Sequence, residues 1–201
     1  AAEAFELWDE LIRVEMIRID SPYAQITMAW SSVTRKGGNY MSRDLNPLPA
    51  DSPPDTEYIF NQAQIWLNTA DSRFVQPGTT PPIITPARGS AAWEQLLLHE
   101  IGHALGLHHP GNYDSGEDTT TIPPPPPLDY ANRAVFQQDT VRTSLMSYWR
   151  ETDDTVTGAN WGGRFALTPM VYDIRAVQAK YGADPETRKT DTTYGFNSNL
   201  P

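Results

Sequence analysis

The sequence has 201 residues, of which 39% are hydrophobic and six are tryptophan, so it suits one domain with a real core. Its net charge of −10 and its pI near 4.7 argue against a nucleic-acid partner, because a phosphate backbone is bound by a basic surface. No apolar run approaches the ~18 residues that cross a bilayer, and residues 1–12 lack the basic start and apolar middle of a secretory signal. The absence of cysteine excludes disulfides and thiolate zinc sites, without fixing the compartment.

The first half of the chain predicts one helix followed by strands. Residues 4–12 place Phe5, Trp8, Leu11 and Ile12 at helical intervals. Residues 14–19 and 26–30 alternate apolar and polar side chains, as half-buried strands do. Residues 35–57 are rich in Gly, Pro, Asn and Asp and predict a loop, with a short strand near residues 39–41. Residues 63–69 predict another strand, and the prolines in residues 79–90 predict an extended connection.

The second half predicts two helices separated by a proline-rich loop. Residues 90–107 form the longer predicted helix, whose apolar side carries Trp93, Leu96, Leu97, Ile101 and Ala104. The five prolines at residues 123–127 favour polyproline II and cannot pair in a sheet, so a stiff loop is expected there. The last predicted helix opens with Thr168-Pro169 and closes with Tyr181-Gly182. Its apolar positions are Met170, Val171, Ile174, Val177 and Tyr181.

One motif stands out, because residues 99–109 read H-E-x-x-H-x-x-G-x-x-H. On an α-helix, His99 and His103 lie one turn apart on the same face, where one tetrahedral metal ion can take both imidazoles. Glu100 lies about 100° round the helix from His99 and can reach a metal-bound water without being a ligand. All four histidines of the chain lie between His99 and His109, whereas structural histidines would be scattered.

Gly106 and His109 extend the motif to a third ligand. Glycine tolerates positive φ, so the helix can end there and the chain can turn back. Three protein ligands with an open fourth position are typical of a catalytic zinc. The spacing selects His109 over the adjacent His108, and Pro110 restricts His109 to extended backbone angles. A zinc site completed by a downstream carboxylate such as Glu117 is an alternative, which His109 makes unnecessary.

The zinc motif, followed by Ser144-Leu145-Met146-Ser147-Tyr148-Trp149, resembles the metzincins and, more narrowly, the serralysin group of secreted bacterial zinc endopeptidases. The resemblance covers roughly residues 94–199, and two motifs in the right order make it specific. Residues 1–93 match only by their pattern of helix and strands. The other matching stretches are His109-Pro110-Gly111, Asp139-Thr140, Asp173-Ile174, Gln178, Tyr181-Gly182-Ala183 and residues 194–199.

This resemblance implies an α+β fold, namely a metzincin-like two-lobed catalytic domain with a twisted mixed β-sheet and a long active-site helix. Residues 1–109 would form the upper lobe with the sheet and the zinc helix. Residues 110–182 would form a smaller C-terminal lobe with the Met-turn and a final helix, and residues 183–201 a tail. In the family such a tail leads into calcium-binding repeats. The family's catalytic domain usually begins upstream of the position that matches residue 1 of this sequence. Calcium is therefore expected only together with a repeat domain, with residues 188–192 as half of a site.

The resemblance also implies roles for individual residues. The zinc ligands would be His99, His103 and His109. Glu100 would be the general base, and Met146 would pack beneath the metal without ligating it. Tyr148 would lie near the zinc and swing to hydrogen-bond the oxyanion. From the residues alone, Met146 and Tyr148 would be a core methionine and a buried tyrosine.

The implied function is that of an extracellular zinc endopeptidase, a hydrolase that cuts protein or peptide substrates with zinc-bound water and Glu100. The strand at residues 63–69 would form the upper rim of the cleft and align the substrate as an added strand. The candidate substrate contacts are Gln64, Ile65, Trp66 and Leu67. A monomer is expected, with a proteinaceous inhibitor as a further kind of partner and with neither nucleic acid nor membrane. The alternative is a catalytically silent metzincin-fold binding module, but the presence of Glu100 favours the enzyme.

Overall fold

The computed structural model describes residues 1–31, 40–45, 60–68, 91–114 and 126–187. Its elements are helix α1 (Ala2–Asp9), strands β1 (Ile26–Ser31), β2 (Tyr40–Leu45) and β3 (Phe60–Asn68), and helices α2 (Ala91–Ala104), α3 (Tyr130–Arg133) and α4 (Val171–Tyr181). This mixture of helices and strands agrees with the predicted α+β class. No helix within these ranges is long and apolar enough to cross a bilayer.

The three strands form one mixed sheet in the order β1-β3-β2. β1 runs parallel to β3, with Ile26 opposite Ala63, and β2 runs antiparallel to β3, with Met41 opposite Ile65. Side chains of β3 alternate between the two faces of the sheet, so Ala63, Ile65 and Leu67 are buried. The sheet therefore has one face that other elements cover.

Helix α2 packs on strands β2 and β3 and forms the centre of the core. Its residues Leu97, Leu98 and Ile101 are fully buried, together with Trp8 of α1. The indole nitrogen of Trp8 donates a hydrogen bond to the carbonyl of Leu98 (3.1 Å), which fixes α1 across α2. The position of α2, which carries the zinc motif, is thus set by contacts on several sides.

Residues 14–19, predicted to be a strand, form no strand in the structure. Val14 and Ile17 are both exposed, so apolar side chains on both faces of the pattern point to solvent. The amide of Met16 donates to the carboxylate of Asp9 at the end of α1 (2.6 Å) instead of to a neighbouring strand. The alternation of apolar and polar residues alone predicted the wrong structure here, because a strand also needs hydrogen-bond partners for its backbone groups.

The predicted helices are present with shifted ends. Helix α1 spans Ala2–Asp9 rather than residues 4–12, and α2 ends at Ala104 rather than at residue 107. Helix α4 begins after Pro169, because the carboxylate of Asp173 accepts the backbone amide of Met170 (2.8 Å) and caps the helix there. The short helix α3 was not predicted from the sequence.

The predicted strand near residues 39–41 is present as β2 and extends to Leu45. Several other predictions lie outside the described residues. These are most of the loop at 35–57, the connection at 79–90, Glu117, residues 123–125 of the proline run and the tail from residue 188, with its half calcium site. The division into two lobes stays a prediction.

Candidate metal centre

Helix α2 carries the first two histidines of the motif side by side. The ring centroids of His99 and His103 lie 4.6 Å apart, as expected for residues four positions apart on one helical face. Glu100, between them in sequence, is 5% exposed. The helix therefore presents two imidazoles and one buried carboxyl group within little more than one turn.

A glycine turn ends α2 and brings the chain back over these rings. Gly106 has a φ of 92°, a conformation that side chains other than glycine rarely adopt. Its amide donates to the carbonyl of His103 (2.9 Å), and the amide of Leu107 donates to that of Gly102 (2.9 Å). This pair of hydrogen bonds is a Schellman motif, which caps the helix and reverses the chain. His109 follows, and its ring centroid lies 4.7 Å from that of His103.

All three histidines use the same nitrogen for a backbone contact. The Nδ1 atom of His99 lies 2.8 Å from the Leu145 carbonyl, and that of His103 lies 2.9 Å from the Leu107 carbonyl. His109 Nδ1 lies 2.7 Å from the carbonyl of Tyr113. Because a carbonyl accepts only, each Nδ1 carries the proton, and each Nε2 keeps a lone pair. Such contacts fix the tautomer and the orientation of metal-binding imidazoles.

The lone pairs converge with the spacing of a zinc site. The ligand atoms of the three residues lie within 4.8 Å of one another, and Nε2 of His103 lies 3.1 Å from Nε2 of His109. Two nitrogens bound to one tetrahedral zinc at about 2.05 Å are about 3.3 Å apart. Two lone pairs that face each other at this distance repel unless a cation lies between them. The donor set therefore fits zinc.

The environment keeps the three rings neutral, as metal binding requires. Burial lowers the pKa of His99 to about 4, despite the opposing hydrogen bond to Leu145. Burial also lowers the pKa values of His103 and His109 from their ordinary value. At neutral pH the site thus offers lone pairs rather than positive charges.

A turn after residue 143 lies against α2 and orients His99. Within it, the amide of Ser147 donates to the carbonyl of Ser144 (3.2 Å), and the Leu145 carbonyl faces His99. The carboxylate of Asp173 accepts the Ser144 hydroxyl (2.6 Å) and the Leu145 amide (2.7 Å). Burial raises the pKa of Asp173, while these hydrogen bonds oppose the shift. Helix α4 therefore fixes the peptide that holds the first ligand.

Met146, in the same turn, packs directly against α2 between the first two ligands. It is 1% exposed, and a Cβ atom at Gly102 would lie 2.6 Å from its sulfur. That distance is shorter than real Cβ contacts, so only glycine allows this approach without displacement. Gly102, at a variable position of the motif, thus accommodates the methionine.

Tyr148 lies beside the cluster of histidines. Its ring centroid is 4.3 Å from that of His109 and 6.1 Å from that of His99. The side chain is only partly buried. By contrast, His108 is exposed, and the metal-binding group found among the described residues does not include it.

The strand predicted to align the substrate, at residues 63–69, is the central strand of the described sheet. In this sheet β3 lies between β1 and β2, and the backbone of residues 63–66 is paired on both sides. Ile65 and Leu67 are buried in the core, and Gln64 and Trp66 alternate with them on the opposite face. The prediction of an edge strand is therefore wrong for residues 63–66, because β2 pairs beside them. Contact of the substrate with residues 64–67 stays a prediction.

Several residues that hold the site together have little or no signal in the sequence. Leu107, Tyr113 and Leu145 contribute backbone carbonyls, which every residue type carries, so no sequence signal marks them. Asp173 had a signal, because an acidic residue in the third position of a helix often caps its start.

The comparisons with known proteins agree with this geometry. The profile of the Matrixin peptidase family matches residues 1–115. Serralysin C of Dickeya chrysanthemi is 40% identical over 134 residues, which are 67% of this chain and 23% of that protein. Serralysin B of the same organism is 32% identical over 179 residues, or 89% of this chain and 32% of that protein. Metallopeptidase AprA of Pseudomonas marginalis is 44% identical over 135 residues, or 67% of this chain and 25% of that protein.

The chain spans a third or less of the length of these three relatives. Within that span, the family match covers more than half of the chain and ends beyond the third histidine of the motif. The three-histidine group fits the zinc ion that such a family implies. The chain therefore belongs to the matrixin family and is a serralysin-like metzincin catalytic domain.

Proposed function

We propose that this chain is the catalytic domain of an extracellular zinc endopeptidase that hydrolyses peptide bonds of protein substrates. The convergence of three neutral imidazole nitrogens within one motif carries the proposal. The same motif contains Glu100, whose carboxyl group is the chemical group that a silent binding module would not need. The names of the relatives, serralysin and metallopeptidase, support the same activity.

The proposed mechanism assigns one task to each group. Zinc held by the three histidines would supply Lewis acidity towards water and the substrate carbonyl. Glu100 takes the proton from the attacking water as general base and then delivers it to the leaving amine. Its place next to His99 on helix α2 supports this role.

Tyr148 and Met146 have supporting tasks in this proposal. The phenol of Tyr148 donates a hydrogen bond to the oxyanion that forms on the substrate. Its ring, 4.3 Å from that of His109, is near enough to the metal centre for this role. Met146 forms the floor under the ligands, as the methionine of a Met-turn, and the contact with Gly102 supports that assignment.

Tyr148→Phe is expected to lower kcat by about 100-fold, the usual effect of removing one oxyanion donor. KM is expected to change little, since the phenol acts mainly on the transition state. Steady-state kinetics on a fluorogenic peptide, at equal zinc content, measures both constants. An unchanged kcat would mean that the phenol of Tyr148 does not stabilise the oxyanion and that the side chain only packs beside the site.

The substrate is a protein or peptide segment that binds in extended form. We infer that it pairs with β2 rather than β3, because β2 has an outer edge that no other described strand occupies. Helix α2 contacts β2, so a segment added there would lie beside the motif. The cleft would then run between an upper lobe, residues 1–109, and a lower lobe, residues 110–182.

Casein digestion with and without a chelator tests the proposed activity. Removal of the metal with 1,10-phenanthroline is expected to abolish cleavage, and zinc added back is expected to restore it, because the metal supplies the Lewis acid. Cleavage that persists in the metal-free protein would refute the zinc mechanism. A protein that binds zinc at the three histidines yet cuts no peptide would be the silent binding module.

A further inference from the structure

Asp139 is a buried carboxylate outside the group of metal-binding side chains. It is 1% exposed, and its Oδ1 atom accepts hydrogen bonds from the hydroxyls of Tyr113 (2.9 Å) and Ser147 (2.8 Å). Its Oδ2 atom is also buried and has no hydrogen-bond partner among the residues that the structure describes. Burial of an incompletely paired polar group is unfavourable. A side chain that served packing alone would therefore be better apolar, which suggests a specific task for Asp139.

Tyr113 connects this carboxylate to the third metal ligand. Its hydroxyl donates to Asp139, while its carbonyl accepts the Nδ1 proton of His109 (2.7 Å). Its ring also stacks on the imidazole of His109, with centroids 5.3 Å apart and planes 10° from parallel. One residue thus fixes both the protonated nitrogen and the plane of the ligand ring. Its own position depends on the hydrogen bond to Asp139.

Ser147 makes a comparable hydrogen bond to Asp139 but does not hold the ligand ring itself. Its Oγ atom accepts the amide of Trp149 (3.2 Å), which leaves its proton for Asp139. Within the described residues, Ser147 has no hydrogen bond to any of the three histidines. Tyr113 and Ser147 therefore form a matched pair, because each gives one hydroxyl to the same oxygen and only Tyr113 contacts His109.

We propose that Asp139 is a positioning residue of the metal centre, which orients the third ligand, His109, through the hydroxyl of Tyr113. Asp139 does not belong to the group of converging ligand atoms, so its hydrogen-bonded link to the ligand runs through Tyr113. The inference rests on the proposed zinc site and extends it beyond the ligands. Groups that hold a ligand ring in place contribute to metal affinity, because they remove the cost of ordering that ring on binding.

Zinc affinity of the whole chain, measured by competition with a chromophoric chelator, tests this role. Tyr113→Phe keeps the ring and the carbonyl but loses the hydroxyl, and is expected to raise the zinc Kd about tenfold or more. Ser147→Ala removes the other hydroxyl that donates to the same Asp139 oxygen, and it is expected to raise the zinc Kd by a clearly smaller factor. Asp139→Asn keeps an acceptor oxygen, so its Kd is expected to lie between those of the wild type and Asp139→Ala.

Ile12→Ala controls for a general loss of stability. Ile12 is buried and pairs with Ala183, and it is in neither the histidine group nor the hydrogen bonds around Asp139, so this change is expected to lower Tm while leaving the zinc Kd unchanged. Wild-type zinc affinity in Tyr113→Phe would overturn the proposal, as would equal weakening by Ser147→Ala. If Asp139→Asn does not fold, the zinc Kd values of Tyr113→Phe and Ser147→Ala still test the proposal. Absence of zinc binding by the wild type would overturn the proposed function as well. Failure of the role of Asp139 alone would leave the wild type with bound zinc, so the two failures can be told apart.

Discussion

A Glu100→Gln protein is expected to bind zinc like the wild type and to lose turnover by about two to four orders of magnitude, the usual contribution of a general base. Glutamine has the shape of glutamate, so the helix and the buried position are kept. The converging ligand atoms belong to histidines alone, so the substitution removes the base and no ligand. The loss should appear in kcat, because proton transfer occurs in the transition state.

Two measurements on the same protein batch check this expectation. Zinc content by atomic absorption shows whether the site is loaded, and single-turnover kinetics with a peptide substrate gives the chemical rate. A zinc-loaded Glu100→Gln protein with near-normal kcat would contradict the assignment of the base. A loss of zinc together with activity would instead make Glu100 part of the metal-binding machinery.

The grouping of the three histidines was predictable from the sequence because its geometry is local. His99 and His103 are four residues apart on one helix, and the helical period places them on the same face. Gly106 marks the end of that helix, since its φ of 92° suits glycine, and the remaining ligand lies three residues further on. Few alternative conformations exist over so short a stretch, which is why spacing alone predicts that the three rings converge.

The groups that orient the ligands were not predictable in the same way. His99 depends on a carbonyl 46 residues away, at Leu145, and that peptide depends on Asp173 of α4. Such contacts form only when distant segments pack together. Backbone carbonyls also carry no residue-specific signal. The spacing of residues in the sequence can therefore indicate a metal ligand without indicating the groups that orient it.

The error over β3 has a different origin. Alternation along residues 63–67 correctly predicts a strand with one buried face, because that pattern depends on the strand itself. Whether a strand lies at an edge depends on its neighbours, and β2 comes from a Gly- and Pro-rich stretch with little pattern of its own. The order of strands in a sheet is a property of the fold, which a single segment does not encode.

The adjacent residues His108 and His109 are expected to respond very differently to substitution. His109→Ala removes one of the three converging nitrogens and should raise the zinc Kd by more than about 100-fold, beyond the usual effect of outer groups. His108→Ala changes an exposed side chain outside that group and should leave zinc content and activity close to wild type. The two variants remove the same side chain from neighbouring positions, so composition and net charge are matched.

The physical reason lies in the direction of the two side chains. Successive side chains of an extended segment point to opposite sides, so only one of the pair can face the ligands on α2. His109 is the one whose Nδ1 is held by Tyr113 and whose Nε2 lies 3.1 Å from that of His103. Zinc titration of both variants by calorimetry measures the difference. If His108→Ala lost zinc and His109→Ala kept it, the register of the whole site after Gly106 would be wrong.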